Sequence, residues 1–311
     1  MNRIGRYRRE LSVGATLALL MLIMAVTHPE FFLPDRLRTF AVSNASVLVV
    51  ALGMTLVIIA RQIDISVGWE SSVCGVFAGL VAREGVPMPL VVAATLFVGA
   101  VLGGVNGALV SGLGLPSIVV TLATLVILRE SLAWAREGEF VKNLPAGFQW
   151  FGTGQHLGQW IVVGAAFLVF LAFAWGMRHL SLGRTVYATG SDPEAARLAG
   201  IRPRRVVFGV FVAMGMLSGL AALLNAVRFV DVDPKAGSGL ELQAIAAVVV
   251  GGTAVSGGRG TPVGTLLGVL LLGSIGPALV FLGIQAQWEK AIQGGIILLA
   301  VASDALFRER R

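Results

Sequence analysis

Long apolar runs, separated by short polar segments, constrain this chain more than any other feature. An α-helix needs about 20 mainly apolar residues to cross the hydrocarbon core of a bilayer. Such runs recur from end to end, at approximately 11–27, 40–60, 67–82, 88–110, 115–135, 160–177, 206–224, 240–255, 262–283 and 286–307. They define an all-α polytopic membrane protein of about ten transmembrane helices, a single transmembrane domain over residues 1–311, with the lipid bilayer as its solvent. Several runs are short or glycine-rich, so broken or re-entrant spans are expected among them. Composition agrees: 13% of the residues are charged, against roughly a quarter in soluble domains. The 40 glycines suit helices that pack closely or are interrupted.

The first run, Leu11 to Thr27, follows the basic segment RIGRYRRE and so has the outline of a secretory signal. The residues after it read MAVTHPEFF, without a small-residue cleavage site, and the run is taken as the first span. Orientation follows from the basic residues. With the N-terminus in the cytoplasm and ten spans alternating, the inside segments hold Arg3, Arg6, Arg8, Arg9, Arg61, Arg178, Arg184, Arg197, Arg202, Arg204, Arg205, Arg259, Arg308, Arg310 and Arg311. The outside segments hold only Arg36, Arg38, Arg83, Arg136, Lys142, Arg228 and Lys235. That asymmetry puts both termini inside. It also accounts for the net charge of +7 without a nucleic-acid partner, since the arginines are dispersed between apolar runs.

Covalent chemistry finds no foothold in the sequence. His28, His156 and His179 lie in three separate loops with no ligand spacing, and no Ser/His/Asp arrangement suggests hydrolysis. The single cysteine, Cys74, allows no internal disulfide and reads as a small buried packing residue. The glycine-rich stretch GGTAVSGGRGT, Gly251 to Thr261, lacks the Gly-Lys-Ser/Thr ending that a phosphate-binding loop requires. Gly251 and Gly252 are therefore read as opening a tight turn between two spans. No catalytic residue, metal site or cofactor is assigned to this chain.

One segment is polar and well capped: SDPEAARLAGIRPRR, Ser191 to Arg205, within the loop 178–205. Ser191 and Glu194 have capping-box spacing, Pro193 suits a first turn, and Gly200 suits a left-handed termination. EAARLA between them favours about two turns of helix, too short to be stable alone in water, so something should pack on it. Ionisable residues within apolar runs invite a functional reading. Asp64 sits at the end of the second span, where Arg61 is placed to brace it across one turn. Glu70, Glu130 and Glu241 read as interfacial. For a solute path the polar residues inside spans are the candidates: Asn44, Asn106, Thr121 and Thr124. An amide suits a hydroxyl-rich solute, and interhelical hydrogen bonding is the other role open to each. Asn106 lies among glycines, which allows either close helix approach or a broken helix.

EAARLAG resembles the EAA-x3-G core that permease subunits of ATP-driven importers present to their ATPase, with Glu194, Ala195, Ala196 and Gly200 at the matching positions. Four stretches, one of them containing EAARLAG, resemble in order the signatures of the ribose/branched-chain sugar permease family: ALGMTLVIIARQIDISVG, NGALVSGLGLPSIVVTLATL, TVYATGSDPEAARLAGI and GLELQAIAAVVVGGTAVSGGRGTPVGTLLG. Arg61 and Gln62 replace the family's usual glycines before Ile63-Asp64, a departure more like autoinducer-2 import permeases and their rhamnose relatives. Arg129, Glu130 and Ser131 likewise depart from the family's Arg-Gly after the Thr-Leu segment. The resemblance implies a coupling helix at Ser191, Asp192, Glu194, Ala195, Ala196 and Gly200, and it makes Glu241 a candidate gate residue. It implies ABC ATPase subunits that carry ATP and Mg, a second identical or related permease subunit, and a periplasmic or extracellular solute-binding protein. The cargo is then a neutral sugar-like solute (autoinducer-2, rhamnose or a related monosaccharide) crossing a bacterial inner membrane. The competing reading is an ion-coupled secondary transporter of small polar solutes, which needs a carboxylate or cation site at the bilayer midplane.

The orientation is open to direct labelling. In a Cys74→Ala background, Ser191→Cys and Arg308→Cys are expected to react with an impermeant maleimide only from the cytoplasm, and Lys142→Cys and Lys235→Cys only from the other side. Labelling of Arg308→Cys and Lys235→Cys from one side means the last three spans are miscounted.

Overall fold

The computed structural model describes residues 8–285, 287–296 and 298. Half of the tenth expected span, 286–307, thus lies outside the described residues, as do Arg3, Arg6, Arg308, Arg310 and Arg311. Eleven α-helices are bounded among the described residues: α1 Arg8–Thr27, α2 Pro34–Ile59, α3 Val67–Arg83, α4 Met88–Leu113, α5 Ser117–Arg136, α6 Gln155–His179, α7 Ser181–Ser191, α8 Pro193–Leu198, α9 Pro203–Ala226, α10 Leu240–Val250 and α11 Pro262–Phe281. Residues 288–296 are helical as well. Seven of these helices (α1, α2, α4, α5, α6, α9 and α11) are long and apolar enough to cross a membrane. Local chemistry sets their ends. Proline occupies the first or second position of α2, α4, α8, α9 and α11, where its missing N–H is no loss. Gly114 closes α4 in the left-handed conformation, which glycine adopts without a Cβ penalty.

α2 is the central helix. Its second half, Leu48 to Ile59, is buried almost without interruption, and it packs against α6, α9, α10 and α11. The tightest seam joins α4 to α9. Gly99, Gly103 and Gly107 are spaced by four along one face of α4, and a Cβ at Gly99 or Gly103 would run into the backbone of Gly215 or Phe211 on α9. Of the two outcomes the Asn106 region allowed, close approach is the one realised, since α4 runs unbroken for 26 residues. Small residues at such spacing let two backbones come together where no hydrophobic effect drives helices to associate.

Two spans are interrupted. α10 has 11 residues, about 16 Å of helix, against a hydrocarbon core of about 30 Å. The expected run 240–255 is therefore a half-helix ending at Val250, followed by the glycine turn 251–261. α3, with 17 residues, starts only after the non-helical segment 60–66. The non-helical approach to α10 packs on the first turns of α3: the Gly237 N–H donates to Ser72 Oγ at 2.9 Å, and a Cβ on Gly68 would meet the Gly237 carbonyl. Irregular backbone is tolerated at membrane depth only when protein buries it, and Asp64, Ser66, Gly68 and Gly237 are all buried. At the far end of the bundle, a single antiparallel bridge, Val141 to Val232, joins the loops that follow α5 and α9.

α1 docks on α11, with Thr261 Oγ1 donating to Glu10 Oε1 at 2.5 Å and Met24, Phe31 and Ala278 forming a small cluster. Its outer face presents Leu11, Leu19, Leu22 and Val26, as a lipid-facing helix would.

The seam generates a prediction. Gly103→Val places side-chain atoms on the α9 backbone and is expected to cost about 3 kcal/mol, seen as a lower Tm of the detergent-purified protein. Gly104→Val, whose nearest neighbour is Val212 Cγ2 at 3.7 Å, is expected to leave Tm unchanged.

Candidate functional site

Three regions carry the residues singled out in the sequence. The first is the corner formed by α7 and α8. Asp192, not Ser191, caps α8: its Oδ1 accepts the N–H groups of Glu194 at 2.9 Å and Ala195 at 3.1 Å. The expected capping box fails because α7 runs on to Ser191, which leaves the next residue to start the new helix. α8 has 6 residues, shorter than the two turns expected. Pro193 opens it, and Gly200 follows it at φ +84. Ser191, Asp192, Glu194, Ala195 and Gly200 are exposed, whereas Ala196 is buried against the chain itself. Ala196 thus fixes α8 to its own subunit, and the opposite face of α8 is left free. Leu198 there is 85% exposed, a large apolar side chain on an otherwise polar tip. Glu194 pairs with Arg197 at 3.0 Å, an exposed ion pair of little energetic weight.

The second region is a groove of about 520 Å³ along the half of α2 remote from that corner. Its polar lining comes from Arg36, Thr39, Ser43 and Asn44 of α2, Gln243 of α10, and Glu289 and Gln293 of the helical residues 288–296; Phe31, Phe40 and Phe281 supply the aromatic surface. The Asn44 amide donates to the Phe40 carbonyl at 2.9 Å, and its oxygen lies against Gly273 of α11. Gln293 Nε2 donates to Glu289 Oε1 at 3.1 Å. At the rim, Arg36 covers the Phe281 ring at 4.9 Å. Nearby, Arg228 Nη2 donates to Ser43 Oγ at 3.1 Å, and burial lowers the pKa of the Arg228 guanidinium from its ordinary value. Enclosed amides beside aromatic rings can bind a small hydroxylated molecule, the amides meeting its hydroxyls and the rings its C–H faces.

The third region is a buried polar network at the start of α3. Ser66 donates its N–H at 3.0 Å and its hydroxyl at 2.6 Å to Asp64 Oδ1. Asn106 Nδ2 of α4 reaches both Ser66 Oγ at 2.9 Å and Glu70 Oε1 at 3.0 Å. Thr124 Oγ1 of α5 donates to Asn106 Oδ1 at 2.6 Å. Thr121 Oγ1 is 2.9 Å from the Ser117 carbonyl of its own helix and 3.4 Å from the Ile63 carbonyl.

The expected Arg61–Asp64 brace does not form. α2 ends at Ile59, Arg61 turns away at φ +61, and its Nη2 donates to the Ser191 carbonyl at 2.5 Å, while Asp64 is fully buried. Glu70, expected at an interface, is fully buried too. Glu241 is half-buried with Oε2 against Gly68, and Glu130 is exposed beside Arg129 at 2.7 Å. Of the four path candidates only Asn44 lines the groove; Asn106, Thr121 and Thr124 tie α3, α4 and α5 together. Gln243, Glu289 and Gln293 were not singled out, although a glutamine within an apolar run was the available signal.

Comparison with known proteins decides the family. The family described as "Branched-chain amino acid transport system / permease component" matches residues 37–301. The chain belongs to this permease family. It is 36% identical over 295 residues to the ribose import permease protein RbsC of Escherichia coli K12, covering 93% of this chain and 92% of that protein. It is 34% identical over 310 residues to the autoinducer 2 import system permease protein LsrC of Photorhabdus luminescens, covering 99% and 93%. RbsC of Haemophilus influenzae is 33% identical over 307 residues, covering 97% and 95%. No solved structure matches.

In this permease the three regions lie on different layers: a free tip, a groove on the far half of the central helix, and a polar lock between. The lock is testable. Asn106→Leu strands the Thr124 hydroxyl and withdraws donors from Ser66 and Glu70, at an expected cost of about 3 kcal/mol. Thermal unfolding in detergent reads the loss, and an unchanged Tm means the network contributes nothing to stability.

Proposed function

We infer that this chain is the membrane-spanning subunit of an ATP-binding-cassette importer that brings a neutral, sugar-like solute into a bacterial cytoplasm across the inner membrane. The observation that carries this reading is the α7–α8 corner: a capped helix, anchored to its own chain by Ala196, with Leu198 bare to solvent. A lone exposed leucine is ordinary on a surface; it is the EAARLAG sequence on this exposed tip that makes the corner a contact surface and gives the contact its class, an ATPase subunit. ATP and Mg bind to the partner and supply the driving energy, while the permease's own residues bind, gate and transmit. Both termini and the α7–α8 corner are assigned to the cytoplasm, in keeping with the basic residues at that end. The full assembly pairs this subunit with a second permease copy or relative, two ATPases and an extracytoplasmic solute-binding protein.

For the solute, the groove is the supporting feature. With α8 on the cytoplasmic side, the groove opens toward the outside, where a binding protein delivers its cargo. Its lining includes the carboxamides of Asn44, Gln243 and Gln293 and the rings of Phe31, Phe40 and Phe281, with Arg36 and Glu289 as its charged groups, and the relatives' names are ribose and autoinducer 2 import permeases. The buried Asp64–Glu70 pair supplies carboxylates of the kind an ion-coupled carrier would use, with one oxygen of each bonded to Ser66 or Asn106, and it is the family that goes with the ATP-driven reading.

The two halves of the proposal separate experimentally. Leu198→Glu, exposed enough to leave folding intact, is expected to lower co-purification of the ATPase and solute uptake about tenfold or more, the loss typical of a central contact residue. Asn44→Leu is expected to keep the ATPase bound and to reduce uptake of labelled ribose or autoinducer-2-like furanosyl compounds about tenfold, as loss of a buried hydrogen bond to the solute implies. Uptake of an amino acid alone, with every sugar-like solute unaffected by loss of the gene, overturns the solute assignment.

A further inference from the structure

The three named helices that line the groove, α2, α10 and α11, have their other ends in one small knot beside α8. Ile59 is the last residue of α2, and its carbonyl accepts the Gly258 N–H at 2.9 Å. Gly258 belongs to the turn that joins α10 to α11. Gly190, next to the end of α7, lies so close to the same carbonyl that a Cβ there would strike it. Arg61 crosses this knot. Its side chain passes Gly257, and its Nη2 donates to the Ser191 carbonyl at 2.5 Å. Ser191 ends α7, so this carbonyl is one of those left without an intrahelical partner, at the negative end of the helix. A second tie runs alongside, from the Tyr187 hydroxyl to the Gly260 carbonyl at 2.7 Å. Arg61 holds a left-handed backbone at φ +61, which disfavours any residue but glycine and persists only where the surroundings enforce it.

A displacement of α8 reaches the groove helices through this knot, because Asp192, the α8 cap, follows Ser191 directly. We propose that Arg61 is a positioning residue of transport: its bond to the Ser191 carbonyl fastens the root of α8 to the common end of α2, α10 and α11, so that movement of α8 is converted into movement of the groove walls. The inference rests on the function given above and assigns a transmission step to a residue that belongs neither to α8 nor to the groove lining. The glycines at 190, 257 and 258 serve the same link by letting the three backbones meet without intervening side chains.

The test uses the importer reconstituted in proteoliposomes with its ATPase and binding protein, measuring ATP hydrolysis and solute uptake together. The wild-type complex is the control for the proposed function: if it neither hydrolyses ATP nor imports solute, that reading fails before Arg61 is probed. With an active control, Arg61→Ala is expected to retain bound ATPase and hydrolysis within about twofold while uptake falls about tenfold or more, since a charged hydrogen bond is lost. Retained uptake, or loss of ATPase from the complex, overturns the proposal. If Arg61→Ala fails to assemble, Tyr187→Phe decides: a fall in solute moved per ATP is expected, and an unchanged ratio overturns the link. A structural role is distinguished by reconnection. In a Cys74→Ala background, Arg61→Cys with Ser191→Cys is expected to be uncoupled until joined by a reducible bis-thiosulfonate about as long as an arginine side chain, and to uncouple again on reduction. Uptake that stays low after cross-linking counts against the proposal.

Discussion

Backbone polar groups inside a bilayer have no water to turn to, and the two interrupted helices of this permease create the places where that constraint bites. α3 and α10 each begin after a non-helical approach, and the structure answers by bonding each approach to a neighbouring helix. Gly237 donates to Ser72, Ile63 takes the Ser117 hydroxyl as an acceptor at 3.2 Å, and Ser66 folds its own N–H onto Asp64. The polar network over Glu70, Asn106 and Thr124 then closes the remaining gap between α3, α4 and α5. Removing any one member would expose unpaired groups where solvent cannot repair them.

The same interruptions shape the sites. Because α10 stops at Val250, the glycine turn after it reaches the end of α2 and contacts Ile59, Arg61 and Ser191. Because α3 starts late, residues 60–66 are free to leave helical geometry, and Arg61 points at α7 instead of at Asp64. A continuous pair of spans would have kept the α7–α8 corner and the groove apart. The breaks bring them onto one shared set of helix ends.

Much of this was legible in the sequence, because the signals that carried it are local. Apolar run length located the long helices, proline and glycine marked their ends, and GGTAVSGGRGT read correctly as a turn. What stayed hidden depends on partners distant in the chain. The Arg61–Asp64 pairing assumed helical spacing at a point where the helix had ended. Ser191 looked like a cap because the reach of α7 through TVYATGS is set by packing on α2 and α9. Glu70 looked interfacial because its partner, Asn106, lies on another helix, and the groove's Gln243 and Gln293 come together only in the fold.

The glycine seam between α4 and α9 also bears on how the chain is made. Gly103 and its contact Phe211 are separated by about a hundred residues, and synthesis at roughly 5–20 residues per second puts on the order of ten seconds between them. During that interval α4 is in the membrane with its flattest, most backbone-like face turned to lipid, waiting for α9. Biogenesis therefore has an ordering imposed by geometry: α4 cannot settle against its main partner until α9 has emerged and inserted. A ribosome stall in that interval would leave a lipid-exposed glycine groove for membrane quality-control proteases to find.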